Sequence, residues 1–240
     1  MKNANLMSIL ALTTLSSLVL AREPSFDPVP LTVEVGVPVT ATYIPKGFDS
    51  NDNAQIVVSG AYPNSCYKMG PTHVNDDKET HRVSIDVNAY YTSSSYCLML
   101  YIPFTQTIDL GVLPAANYEL EINKLNTQTL PVSVATRDQS DDYLYATIIN
   151  VVRLSRDTFE LRGILPSSCS QIAEVRVIEE VGNVLTVLPI VRFVPGCEPK
   201  EDPTQLEFAV NFKTRSDLSG SKLIYVRSLN GASVSQVANF

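Results

Sequence analysis

An all-β chain made of two tandem antiparallel β-sandwiches is what this sequence predicts, and three observations predict it. The phrase "GAYPNSC" at 60–66 returns as "GILPSSC" at 163–169, and each copy is followed about thirty residues later by one more cysteine, Cys97 and Cys197. Short segments rich in β-branched and aromatic residues recur along the whole chain, separated by polar turn clusters. No window after residue 21 carries apolar residues at helical spacing between capping signals. Other landmarks repeat at the same offset. Phe104 corresponds to Phe208, Leu113 to Leu218, and Tyr118–Ile122 to Lys222–Val226. Self-similarity at this period predicts tandem domains.

Taken in order, the chain begins with Lys2, an uncharged run from Leu6 to Leu20, and Ala21 before the charged pair Arg22-Glu23. This pattern predicts a secretory signal peptide over 1–21, cut after Ala21, with no membrane span after cleavage. The first sandwich is expected over 22–136. Its strands are "LTVEV", "VTATYI", "QIVVSG", "RVSIDVNAY", "CLMLYI", "QTIDL", "YELEI" and "LPVSV", with "DSNDN" and "NDDKE" as turns. The polar stretch Ala135–Asp142 separates the copies. The second sandwich is expected over 139–240, with "YATIINVV", "TFELRG", "EVRVIEE", "NVLTVLPIV", "LEFAVNF", "KLIYVRS" and "SVSQV" as strands. Gly182-Asn183 reads as a hairpin turn, and "SQIAEV" after Cys169 as one helical turn. Alternation such as "VSIDV" predicts sheets with one buried and one solvated face.

Four cysteines in a chain expected to be exported point to disulfides. Four cysteines allow three pairings, and the repeat selects Cys66 with Cys97 and Cys169 with Cys197. Each bond closes a loop of about thirty residues, for roughly 3–4 kcal/mol in the chain-entropy model. Gly60 and Gly163 are expected to end a strand where the chain turns, and Pro63 and Pro166 to stop further ladder pairing.

The charge balance is acidic, with 18 Lys and Arg against 25 Asp and Glu. Removing Lys2 takes the net charge to about −8, which argues against nucleic acid or anionic lipid as a partner. The two histidines, His73 and His81, lie near Asp76, Asp77 and Glu79 without metal-ligand spacing and read as a solvated hairpin tip. Asp49–Ala54 starts like a calcium loop, but Ala54 and Gly60 stand where the glycine and the bidentate glutamate belong, so it reads as a polar turn. No nucleophile elbow, phosphate loop or dinucleotide fingerprint occurs. No catalytic residue, metal or cofactor is predicted. The candidate binding loop is "NAYYTSSSYC", where Tyr90, Tyr91 and Tyr96 flank small polar residues, a composition suited to contact surfaces. Tyr90 and Tyr91 must point to opposite faces of a continuing strand, and Tyr91 with Tyr96 is expected to be the outward pair. The second copy carries "VPGCEPKEDP" at the equivalent tip, so the two tips should differ in what they bind.

On these residues the chain resembles a family of tandem immunoglobulin-like domains in exported bacterial proteins. That family's signature is a G-x-L-P-x-x-C strand end, a second cysteine some thirty residues on, and an F-x-x-x-V-x-L-x-x-L-x-A-G-x-Y hairpin. Gly60–Cys66, Cys97 and "FTQTIDLGVLPAANYELEIN" match in the first copy; Gly163–Cys169, Cys197 and "FAVNFKTRSDLSGSKLIYVRSLNG" match in the second. The sequence departs at Asn117, where the hairpin glycine is usual, and at Lys222, where the tyrosine is usual. The latter predicts a more loosely packed hairpin in copy two. The resemblance implies immunoglobulin-like sandwiches of mostly structural or unknown role. The expected function is therefore an exported, periplasmic or secreted, non-enzymatic protein with a structural or protein-binding role in the bacterial envelope or exterior. Its partner would be a protein or envelope component. An exported carbohydrate-binding module and a secreted hydrolase are the alternatives.

Overall fold

The computed structural model describes residues 31–93, 96–138, 141–179, 182–199 and 206–240. The expected signal peptide over 1–21 and the first residues of the first sandwich lie outside the described residues.

The chain is all-β. The first half holds β1 (Thr32–Gly36), β2 (Val39–Tyr43), β3 (Phe48–Asp49), β4 (Asn53–Tyr62), β5 (Tyr67–Asp77), β6 (Arg82–Thr92), β7 (Ile102–Val112), β8 (Ala116–Ile122) and β9 (Asn126–Ser133). The second half holds β10 (Thr147–Arg153), β11 (Thr158–Ile164), β12 (Ser170–Glu179), β13 (Val184–Phe193), β14 (Glu207–Lys213), β15 (Ser221–Arg227) and β16 (Ser233–Asn239). A 3-10 turn, Leu229–Gly231, precedes β16.

One topology occurs twice. The sheet β2-β4-β7 of the first half returns as β10-β11-β14, and the ladder β5-β6-β8-β9 returns as β12-β13-β15-β16. The first half adds β1 against the end of β6 and β3 beside β9. Most pairings are antiparallel, as expected, but the two-residue β3 runs parallel to β9, and β6 with β8 and β13 with β15 are parallel. The connection explains the last two. The chain leaves β6 for β7 in the facing sheet, then returns as β8 running the same way as β6, and the second half repeats the crossing through β14.

Some local readings change. Tyr67–Asp77 forms β5, a strand hidden in the sequence by Gly70, Pro71 and its polar end. "SQIAEV" opens β12 and is not a helical turn. "CLMLYI" is not a strand until Ile102. Asn117 lies in extended backbone within β8 and is not a turn residue.

The repeated phrase has a local explanation in both copies. Gly60 lies inside β4, two residues before its end, opposite Phe104. A Cβ there would come within 2.2 Å of the Pro38 carbonyl oxygen and 2.7 Å of the Phe104 ring. Gly163 faces the same obstacles, with a Cβ 2.1 Å from the Thr147 carbonyl oxygen and 2.9 Å from the Phe208 ring. The glycine therefore permits close approach of a neighbouring strand and an aromatic ring, and the turn follows later. The polar fifth position makes that turn. Asn64 Oδ1 accepts from the Cys66 N–H at 3.0 Å, and Ser167 Oγ accepts from the Cys169 N–H at 3.1 Å. The disulfides are Cys66–Cys97 and Cys169–Cys197, with Cα atoms 5.3 and 5.5 Å apart.

The two sandwiches meet sheet to sheet, and residues 31–240 form one compact unit. In the second sandwich, Leu185, Val187, Ile224 and Val226 face its own core, whereas Val184, Leu223 and Tyr225 belong to the core cluster of the first sandwich. Across the seam, Gln55 on β4 accepts at Oε1 from the Tyr225 hydroxyl at 2.7 Å and the Ser233 hydroxyl at 2.6 Å. The Thr107 hydroxyl donates to Ser235 Oγ at 3.3 Å. Sheets covered on both sides read as near-continuous apolar runs, which is how "NVLTVLPIV" and "KLIYV" are written. The expectation of one wet face per sheet fails here for that reason. Nor is the Lys222 hairpin loose: Leu223–Arg227 is buried throughout, and Lys222 Nζ donates to the Gly182 carbonyl at 2.6 Å.

Candidate interaction surface

The distal end of the first sandwich is built around Cys66–Cys97. The disulfide ties the β4–β5 turn to the segment that leaves β6, and two further bonds tighten the joint: the Leu98 N–H donates to Ser65 Oγ at 2.8 Å, and the Ser65 N–H donates to the Leu98 carbonyl at 3.1 Å. Behind the disulfide runs an aromatic series. Tyr91 sits against Tyr67 with ring centroids 4.9 Å apart, Tyr67 lies 6.3 Å from Tyr62, and Tyr62 stacks on Phe104 at 4.7 Å. These rings close the end of the core.

Of the three predicted tyrosines, two face water and one does not. Tyr96 is 91% exposed and Tyr90 45%, whereas Tyr91 is half-buried against Tyr67. The expectation of Tyr91 and Tyr96 as the outward pair is corrected to Tyr90 and Tyr96. The parity runs from Val83: Val83, Ile85, Val87 and Ala89 point inward, so Tyr91 continues the inward face. Ser94 and Ser95 of the predicted loop lie outside the described residues.

The larger part of the surface was not among the predicted residues. Leu98, Met99, Leu100 and Tyr101 are all exposed, Met99 by 84% and Tyr101 by 79%. Taken for a strand, they looked like core. The usable signal was the lack of alternation immediately after a disulfide cysteine, where the sandwich ends and nothing remains to cover a second face. Patches of exposed large apolar residues mark interaction sites.

A second cluster, also unpredicted, lies in the seam. Arg227 on β15 is buried, with Nη1 3.2 Å from Asp52 Oδ2 and 3.6 Å from Asp141 Oδ1. Its Nη2 donates to the Gly47 carbonyl, and its guanidinium stands 4.9 Å from the centre of the Phe48 ring. Burial raises the carboxyl pKa values of both aspartates against the pull of Arg227, Asp141 to about 6. Burial also works against the Arg227 cation, but the Asp52 carboxylate and its other neighbours outweigh it and hold its pKa above the ordinary arginine value. Burial pushes the Tyr145 hydroxyl up to about 12. The free space among Phe48, Asp52, Asp141, Tyr225 and Arg227 is about 10 Å³, at the lower limit for one water molecule, so this side of the cluster is a filled joint, while Tyr145 and Arg227 also line a cleft of about 180 Å³ with Tyr143 and Arg176. The linker is held by the same region: Asn51 Nδ2 donates to the Arg137 carbonyl at 2.7 Å, and the Ala135 N–H donates to Ser50 Oγ at 3.1 Å. The loop at Asp49–Ala54, expected as a polar turn, is part of the joint between sandwiches.

His73 Nε2 lies 2.7 Å from Glu34 Oε1, and the His81 ring stands edge-on to Tyr118, 5.5 Å between centroids. The two histidines are therefore separated and engaged with different neighbours. Among the described residues, no group of three or more His, Cys, Asp or Glu side chains is placed to hold a metal ion. Nor is any helix among them long and apolar enough to cross a membrane.

A family model described as the ORF11 beta-sandwich domain matches residues 56–134, which run from β4 to β9 and include Cys66, Cys97 and the exposed tip. No curated protein and no solved structure matches the chain. The match supports a β-sandwich domain in the first half of the chain, and the two disulfides are compatible with an oxidising compartment.

Proposed function

We propose that the protein is an exported, non-enzymatic component of the bacterial envelope or exterior. Its two immunoglobulin-like sandwiches form a rigid body that presents the disulfide-anchored tip of the first sandwich as a binding contact. The observation that carries this reading is the run from Tyr96 to Tyr101, in which five large apolar side chains are exposed on a backbone tied down by Cys66–Cys97. A contact that is already ordered loses little conformational entropy on binding. The charged seam supports the rigid-body part, because Arg227, Asp52 and Asp141 come from both halves and the linker between them.

The test is photo-crosslinking in the cells that make the protein, with a photoreactive residue in place of Tyr101 and, in a second variant, in place of Glu198 at the other tip. Specific adducts from position 101 and none from position 198 are expected. Adducts from position 198 alone would refute the assignment of the contact to the first tip.

A further inference from the structure

We infer that the first-sandwich tip is an interfacial lipid anchor, taking up the headgroup and upper acyl region of a neutral phospholipid surface. This rests on the reading of the tip as the binding contact and names its partner.

The first support is charge. Residues 87–108 contain no Asp, Glu, Lys, Arg or His, and neither do residues 53–67, which supply the facing turn. In a chain of net charge −7, the β4–β5 turn and the segment between β6 and β7 therefore carry no acid. The first charge behind them is Lys68, exposed and in register with Tyr90 across β5 and β6. The carboxylate on the other side of Tyr90 belongs to Glu34, which is engaged by His73 Nε2 and by Asn88 Nδ2, both at 2.7 Å. Acidity excludes attraction to anionic lipid by the molecule as a whole, but it leaves this end able to approach a neutral surface.

The second support is the order of side chains. Leu98, Met99 and Leu100 stand in sequence between Tyr96 and Tyr101, and Tyr90 and Lys68 face each other in register on β6 and β5 behind the disulfide. Alkyl groups belong among acyl chains, tyrosine rings at headgroup level, and a lysine reaches back to the phosphates.

The third support is the backbone. Unpaired N–H and C=O groups are costly in an apolar layer. At the apex, the Leu98 N–H and carbonyl are both paired with Ser65, and the Leu100 N–H donates to the Leu98 carbonyl at 2.9 Å. The Leu98 peptide groups and the Leu100 N–H can therefore lose water at lower cost than those of an open loop. A protein partner fits less well, since a stable interface takes roughly 20–30 residues a side, usually with a polar rim.

The chain has no tryptophan, so Met99→Trp makes a single fluorescent reporter. In the full mature chain its emission should shift to the blue on addition of phosphatidylcholine vesicles, and that of Glu198→Trp at the second tip should not. Wild type should sediment with the same vesicles independently of salt, because the contact is apolar. Leu98→Asp with Met99→Asp should lower vesicle affinity by about tenfold or more at an unchanged melting temperature. Wild type that does not sediment with vesicles, or a folded double variant that sediments equally well, would overturn the inference. A protein crosslinked at position 101 without vesicle binding would overturn the lipid assignment and leave the tip as a protein contact. No crosslink at position 101 and no vesicle binding would remove both readings.

Discussion

Strands β8 and β15 hold the same place in the two sandwiches and treat their outward faces in opposite ways. In β8, Tyr118, Leu120 and Ile122 are buried, while Glu119 and Glu121 between them are exposed and half-exposed. In β15, Ile224 and Val226 face the second core, and the outward positions Leu223, Tyr225 and Arg227 are buried as well. The same contrast separates "RVSIDV" in β6 from "VLTVLPI" in β13. One topology therefore carries two surface designs. The outward face is written apolar only where the other sandwich covers it, so broken alternation in one copy of a repeat locates the seam.

The contrast breaks most completely when the halves are separated. Fragment 139–240 leaves Val184, Leu223 and Tyr225 uncovered, and it should self-associate in sedimentation. Changing Leu223 and Tyr225 to Glu, the β8 pattern, should make that fragment monomeric. A monomeric, cooperatively melting wild-type fragment would show that the covered face is dispensable.

Within the intact chain, Arg227→Ala should cost about 3–5 kcal/mol in denaturant unfolding, because it leaves the buried Asp52 carboxylate without its partner. Glu121→Ala, at an open outward position of β8, should stay within about 0.5 kcal/mol of wild type. Equal effects at the two positions would erase the distinction between covered and open faces.

The copies should agree where the repeated phrase governs. Sequence separations of 31 and 28 residues predict nearly equal losses, about 3–4 kcal/mol, on replacing either cysteine pair by serine. Gly60→Ala and Gly163→Ala should each cost about 2–3 kcal/mol, since the added methyl meets a backbone carbonyl in both copies. A large effect at only one of the two glycines would show that the copies have diverged in their strand packing.

The smallest effect concerns pH. Asp141 has a pKa of about 6 in the fold, against about 3.9 unfolded. The folded protein thus binds more protons between roughly pH 4 and 6, and the contribution of this group is greatest at low pH and falls as pH rises through 6. Carboxylates with lowered pKa values, Asp77, Asp157 and Asp217, run the other way: their contribution is present above about pH 4 and is lost as pH falls below it. Asp141→Asn should therefore raise stability by about 1 kcal/mol at pH 7 and leave it unchanged at pH 4. A gain of the same size at both values would mean that Asp141 does not titrate in this window.

Sequence by itself determined the all-β class, the repeat, the pairing of Cys66 with Cys97 and Cys169 with Cys197, and most strands. Each is encoded locally, in alternation, in turn residues or in a spacing that recurs. The tyrosines at 90, 91 and 96 were also legible as a group. Which of them faces water was not, because inward and outward parity depends on register counted from Val83. Leu98–Tyr101 looked like a strand because an apolar run has the same letters whether it is core or uncovered tip. Tertiary structure alone decided that Asp52 and Asp141 meet Arg227 in the seam. The three are separated by up to 175 positions in sequence, and no local pattern marks a charge whose partner arrives only when two sheets close on each other.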